Sequence, residues 1–239
     1  MKNVITIADK EIRAYFASPI AYATLFLFLL ISGFSFNYSV YKENSSEMLS
    51  IFLVMIYLLI LIIPAITMHL FAEERKSGTI ELLMTYPLQD WEVVLGKFSA
   101  GFLLFIGMML LTFHFPLFLF MWGNPDPGAI VTGYLGLLLL GGTFLSIGLL
   151  STSLTSSPNV AFMIGAGILF AFFLLGRIVV VIAGTGPIAD FLSYISLIEH
   201  FRNFTMGIIN SRDIVFFLSV IFFMLFASIR VVEIRRWKS

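Results

Sequence analysis

The residues able to do chemistry are few, and their spacing excludes most of it. Three histidines, His69, His114 and His200, are scattered along a chain of 239 residues that contains no cysteine. Without cysteine there are no disulfides, thiolate nucleophiles or thiolate zinc sites, and the redox compartment stays open. A metal cluster built on these histidines would need carboxylates at ligand spacing, and none is visible. Gly96-Lys97 is followed by Phe98 and lacks the upstream glycine of a phosphate-binding loop. Gly-x-Ser-x-Gly and His-Glu-x-x-His are both missing. His114 lies inside an apolar run, between Phe113 and Phe115 and beside Pro116. A histidine at that depth is a functional candidate. The plainer reading is a neutral ring hydrogen-bonded to a neighbouring helix.

The composition says what must position these groups. Hydrophobic residues make up 59% of the chain, 27 of them phenylalanine, and charged residues only 12%. A soluble domain carries about a quarter charged residues. With a mean hydropathy of +1.01, lipid is the solvent that fits. The net charge is zero, so no basic field exists for nucleic acid. The expected fold is an all-α integral membrane domain over 1–239.

Six apolar runs are long enough to span a bilayer, at about 20–40, 49–71, 98–121, 130–152, 159–182 and 214–229. The apolar stretch starts only at Pro19, after a mixed leader, which is unlike a cleavable signal peptide. Six spans place both ends on one side. That side holds Lys2, Lys10, Arg13, Arg75, Lys76, Lys97, Arg230, Arg235, Arg236 and Lys238, against Lys42, Arg202 and Arg212 on the other. The excess of positive charge points to cytoplasmic termini. Arg177, near the outer end of the fifth run, can snorkel. Carboxylates are lacking at depth, which argues against an ion-coupled carrier. Small residues four apart, Ala161 and Gly165, Gly167 and Ala171, Gly142 and Ser146, allow close helix approach within one chain or between two.

Three segments outside the spans carry information. In residues 1–19, Val4, Ala8, Ile12, Tyr15 and Phe16 recur at helical spacing, with Asp9, Lys10 and Arg13 on other faces. That pattern suits an amphipathic helix lying in the membrane interface. Residues 72–97 read as a short amphipathic helix stopped by Pro87, then a second helix capped by Asp90 with Glu92 in its first turn. Charge pattern alone fits a solvated loop equally well. Residues 183–213 are too apolar for a free loop. Ile195, Ile198, Phe201, Phe204 and Ile208 follow helical spacing beside a polar strip of Glu199, Arg202 and Asn203. One or two short helices dipping into the outer surface are expected, packed on the ends of the spans.

The stretch Glu73-Glu74-Arg75-Lys76-Ser77-Gly78-Thr79-Ile80-Glu81-Leu82-Leu83, followed by Pro87-Leu88 and Leu95-Gly96-Lys97, resembles the ABC-2 family of ABC-transporter permeases. Four further stretches resemble the gliding-motility-associated branch of that family. They are Phe16 to Tyr22, Ser193 to Phe201, Gly207 to Asp213 and Glu233 to Trp237. The resemblance implies a permease subunit of an ATP-driven transporter, an exporter in a bacterial inner membrane. It implies a helix after the second span that couples to a separate ABC ATPase, with ATP and Mg held there and no cofactor in this chain. Two permease copies, identical or related, would pair among membrane lipids. Carried onto this sequence, Glu73, Glu74, Arg75, Lys76, Ser77, Gly78, Thr79 and Glu81, with Lys10 and Arg13 of the N-terminal helix, would form the ATPase contact. Glu199, His200, Phe201, Arg202 and Phe204 would belong to an outer gate region. The rival reading is a membrane scaffold or regulatory subunit that binds an ABC ATPase and moves nothing.

Overall fold

The computed structural model describes residues 2–42, 48–76, 88–182 and 194–236, with the side chains of 41, 42, 122, 176–182, 235 and 236 left out. Ser77, Gly78, Thr79 and Glu81, the centre of the expected coupling helix, lie outside the described residues, as does the side chain of Arg177. Among the described residues there are ten helices and no strand. They are α1 (Lys2–Ala17), α2 (Pro19–Lys42), α3 (Leu49–Thr67), α4 (His69–Lys76), α5 (Asp90–Leu111), α6 (His114–Trp122), α7 (Pro127–Leu154), α8 (Pro158–Ile182), α9 (Leu197–Thr205) and α10 (Ser211–Arg236). Six stretches are long and apolar enough to cross a membrane: α2, α3 with α4, α5 with α6, α7, α8 and α10. The protein is therefore a multi-pass helical membrane protein.

The long helix α7 is the axis of the bundle, packed against α3, α4, α5, α8, α9 and α10. In lipid there is little hydrophobic gain in bringing apolar helices together, so close van der Waals fit must hold them. Glycines on α7 supply it. A Cβ on Gly133 would strike the ring of Phe52, one on Gly141 the ring of Phe105, and one on Gly148 the hydroxyl of Thr67. Gly167 on α8, by contrast, has open space around it. Gly141→Ala is expected to destabilise the protein by about 1–3 kcal/mol through overpacking, while Gly167→Ala changes little. Thermal unfolding of both variants in one detergent checks the contrast. Apolar side chains on the outer faces, such as Phe34, Met163 and Phe222, are more than two-thirds exposed, as lipid-facing residues are.

The helix ends explain the local architecture and correct two expectations. Asp126 caps α7, accepting from the Gly128 N–H at 2.8 Å, with Pro127 in the first turn. At the head of α5 the N-cap is Gln89, and Asp90, expected to cap, is already helical. Glu92 makes the cap by reaching back to the Gln89 N–H at 3.2 Å. The third apolar run is interrupted between α5 and α6. Pro116 has no N–H and would crowd the carbonyl four residues back, and the Thr112 hydroxyl turns onto the Met109 carbonyl at 2.7 Å. The expected bond from His114 to a neighbouring helix is replaced by one within its own segment. Its Nδ1 lies 2.6 Å from the Leu111 carbonyl, which the break leaves without a helical partner, and the residue is exposed. The short helix α9, between the last two spans, is capped by Ser196. It turns into α10 through Gly207, whose φ of +80° favours a residue without a side chain.

Candidate functional site

The N-terminal helix reaches the spans through a face made of Val4, Ile7, Ala8, Glu11 and Tyr15. Gly96 on α5 makes the approach possible, because a Cβ there would sit 2.7 Å from Ile7 Cγ2. Phe16 and Ile5 are left outside, more than half exposed. The face packed on the spans shares Val4, Ala8 and Tyr15 with the apolar stripe read from sequence, and it carries a carboxylate, Glu11, into the contact. Two further bonds hold α1. Tyr15 donates to the Ile66 carbonyl at 3.3 Å, and Asn3 donates to both oxygens of Glu92 at 3.0 and 3.1 Å.

The centre of this junction is Lys97, which is fully buried. Its ammonium lies 2.8 Å from Glu11 Oε1 and 2.8 Å from Glu74 Oε2, and it donates to the Leu70 carbonyl. The Phe71 ring lies beneath it at 5.0 Å. Of the ammonium's three donors, two are hydrogen-bonded, to Glu11 and the Leu70 carbonyl, and Glu74 Oε2 lies within ion-pair distance. The other oxygen of Glu74 accepts from Lys10 at 2.7 Å, with Lys10 also 3.5 Å from Glu11. Burial works to lower the Lys10 pKa, but the hydrogen bond and charge of Glu74, aided by Glu11, outweigh it and hold the ammonium above the ordinary lysine value. Two lysines and two glutamates from α1, α4 and α5 thus form one closed network. Buried charges need this mutual satisfaction, since a lone one would cost several kcal/mol.

A second set of bonds ties α4 to the axis. The Thr152 hydroxyl accepts from the Ala72 N–H at 3.1 Å and donates to the Met68 carbonyl at 3.1 Å. Arg75 donates to the Ser153 carbonyl. So α4 is tied to α1 and α5 by ion pairs and to α7 by hydrogen bonds.

The structure sorts the residues singled out from sequence. Glu74 and Lys10 enter the network and Arg75 reaches the end of α7. Glu73 faces out, 2.9 Å from His69 Nδ1 within α4. Lys76 is exposed. Arg13 pairs only with Asp9 on its own helix at 2.9 Å, and both are largely exposed. Glu11 and Thr152 were missed, and Lys97 was noted only for its charge and motif. The spacing Val4, Ile7, Glu11, Tyr15 was the available signal, a carboxylate on an apolar stripe.

At the other end, His200 is buried beside the equally buried Asp213. Nδ1 lies 2.6 Å from Asp213 Oδ1, Nε2 lies 3.0 Å from the Tyr194 carbonyl, and Asn203 donates to Asp213 Oδ2 at 2.7 Å. The imidazole stacks on Phe216 at 4.0 Å. Phe201 and Phe204 are buried in the core, Phe204 against Gly136 of α7. Glu199 is half-buried in the first turn of α9, and Arg202 is exposed. His200, Phe201 and Phe204 therefore anchor α9, while Arg202 does not join them. Asp213→Ala leaves a buried histidine and Asn203 without their partner, and is expected to cost about 3–5 kcal/mol. Loss of protection of the 197–213 amides in hydrogen exchange checks it.

The geometry defines a multi-pass helical membrane protein whose N-terminal helix is tied by charged side chains to the ends of its second and third spans. The comparisons give the family. Residues 5–232 match the family described as ABC-2 family transporter protein, and the chain belongs to it. It is also similar to the probable multidrug ABC transporter permease YbhR of Escherichia coli K12 and of Escherichia coli O157:H7. The identity to each is 26% over 137 residues, 57% of this chain. That stretch spans only 37% of the length of those curated relatives. The chain is a transporter permease domain.

Proposed function

We propose that this chain is the permease subunit of an ATP-driven exporter, multi-pass in a bacterial inner membrane with both termini cytoplasmic. It pairs with a second permease, identical or related, and separate ABC ATPase subunits do the hydrolysis with their own ATP and Mg. The observation that carries the reading is the charge network. α4 carries Glu73, Glu74, Arg75 and Lys76, the first part of the stretch 73–81 assigned to the ATPase contact, and its Glu74 is tied by Lys97 and Lys10 to α5 and α1. A motor that pushes on this stretch moves three elements as one body. Rigid-body motion of packed helices is the usual way such a push reaches a distant site. The outer cluster of His200, Phe201 and Phe204 is the element that such a rearrangement would release, with Glu199 and Arg202 on its exposed side. The likeness to relatives named as multidrug permeases supports export. The resemblance to the gliding-motility branch suggests a motility-related setting as a special case.

The test uses the lack of cysteine. A single Lys76→Cys carrying a short cross-linker should capture an ATP-hydrolysing subunit in native membranes, and Ser219→Cys on an exposed face of α10 should not. Capture from both positions or neither would remove the basis for the docking assignment. ATP-dependent movement of the outer segment then separates a working permease from a scaffold that binds the same ATPase.

A further inference from the structure

A cavity of about 310 Å³ lies between α1, the start of α2 and the joint of α3 with α4. Its size is at the lower end for small-molecule sites, and its two ends differ in chemistry. One end is apolar, walled by Ile20, Ala21, Ala65 and Ile66, at the starts and ends of the spans. The other end carries the carboxylates of Glu11, Glu73 and Glu74 and the ammonium of Lys10, and with Lys97 buried behind Glu11 and Glu74 one carboxylate is left in excess, on the side of Glu73. His69 lines the same end. Its Nδ1 faces Glu73, and its Nε2 is buried without a hydrogen-bond partner. In the tautomer that donates from Nδ1 to the carboxylate, Nε2 presents a lone pair as an acceptor.

We propose that this cavity binds an amphiphile whose head is a protonated primary amine. The head would sit among Glu73, Glu74 and His69, and the tail along Ile20, Ala21 and Ile66. Charge selects the sign, because an anionic head would meet an excess of carboxylates. Hydrogen-bonding chemistry favours the amine, because the polar end is rich in acceptors and a primary ammonium brings three N–H donors on a compact head. A quaternary ammonium has the charge without the donors. The position gives the site a consequence. A guest amine lies against Glu74 and Lys10, so occupancy is felt by the network that joins α1 to α4. The binding itself does not depend on the permease reading; only its effect on an ATPase does.

The same chemistry has two sources, an aminophospholipid of the adjacent leaflet or a free lipophilic amine, and one experiment separates them. The full chain is placed in nanodiscs of phosphatidylcholine and phosphatidylglycerol, and bound dodecylamine is counted by native mass spectrometry. Dodecylamine is expected to bind at least tenfold more tightly than dodecyltrimethylammonium. Glu73→Gln should weaken it at least fivefold. Ala14→Trp, an exposed position at the cavity wall, should abolish it by filling the space. Adding phosphatidylethanolamine should displace dodecylamine if the lipid is the natural guest, and leave it bound if free amines are. Equal binding of the primary and quaternary amines, or equal binding by wild type and Ala14→Trp, overturns the proposal.

Discussion

Lys97→Ala is expected to be the most damaging single substitution in the protein, lowering its stability by about 3–5 kcal/mol. The reason is what remains. Glu11 and Glu74 would face each other across the space left by a fully buried side chain, with only Lys10 at the edge to answer them. Lys97→Met restores the volume and leaves the charge problem, so it should recover little. The triple replacement Glu11→Gln, Glu74→Gln, Lys97→Met removes the buried charges altogether. It is expected to regain most of the stability, since a buried ion pair is often worth no more than a well-packed neutral equivalent. Unfolding of the four proteins in a denaturant series in one detergent decides the matter. If Lys97→Ala unfolds at the wild-type midpoint, Lys97 is not held in a dry network and the coupling scheme fails with it.

Which parts of this arrangement could be read from sequence follows from the range of the forces involved. The spanning helices were legible because lipid imposes a length and a composition on each one separately, and α2, α3, α7, α8 and α10 all lie in apolar runs identified that way. The break between α5 and α6 was not, although Pro116 marked it, because an unbroken apolar run hides where the backbone bonds are interrupted. Side-chain direction at the network was less legible still. Adjacent residues of a helix point about 100° apart, so Glu73 and Glu74 cannot share a face. Which of them turned inward depended on Lys97, from another span. A lysine at the head of an apolar run reads as a snorkelling charge, and nothing local shows that Glu11 will reach it. In the same way His200 was singled out only through the family resemblance, and its partner Asp213 lies beyond the Gly207 turn, on the next helix.

The second large effect is expected at Glu74, and it concerns motion more than stability. In Glu74→Ala, Lys97 keeps Glu11 and the Leu70 carbonyl, so the loss of folding stability should stay near that of a charge-assisted hydrogen bond, about 1.5–3 kcal/mol. The mechanical loss is larger. Glu74 is the residue of α4 whose side chain binds both Lys10 of α1 and Lys97 of α5; without it α4 loses its ion pair to α1 and is held to α5 through the Leu70 carbonyl. A spin label or fluorophore on Arg202→Cys, exposed on α9, reads the outcome without any need to know the cargo. In the assembled complex, ATP should change the accessibility of that label when Glu74 is present. Glu74→Ala should return the ATP-bound equilibrium at least tenfold toward the resting form, equivalent to about 1.4 kcal/mol of lost coupling, while hydrolysis continues. Glu233→Ala is the control, because Glu233 pairs with Arg230 inside α10 at 2.8 Å and its removal should alter the equilibrium less than twofold. If the two alanine variants behave alike, α4 is not a lever held by its buried face. If Glu74→Ala leaves the ATP response intact in an assembled complex, the push travels by some route other than the Lys97 network.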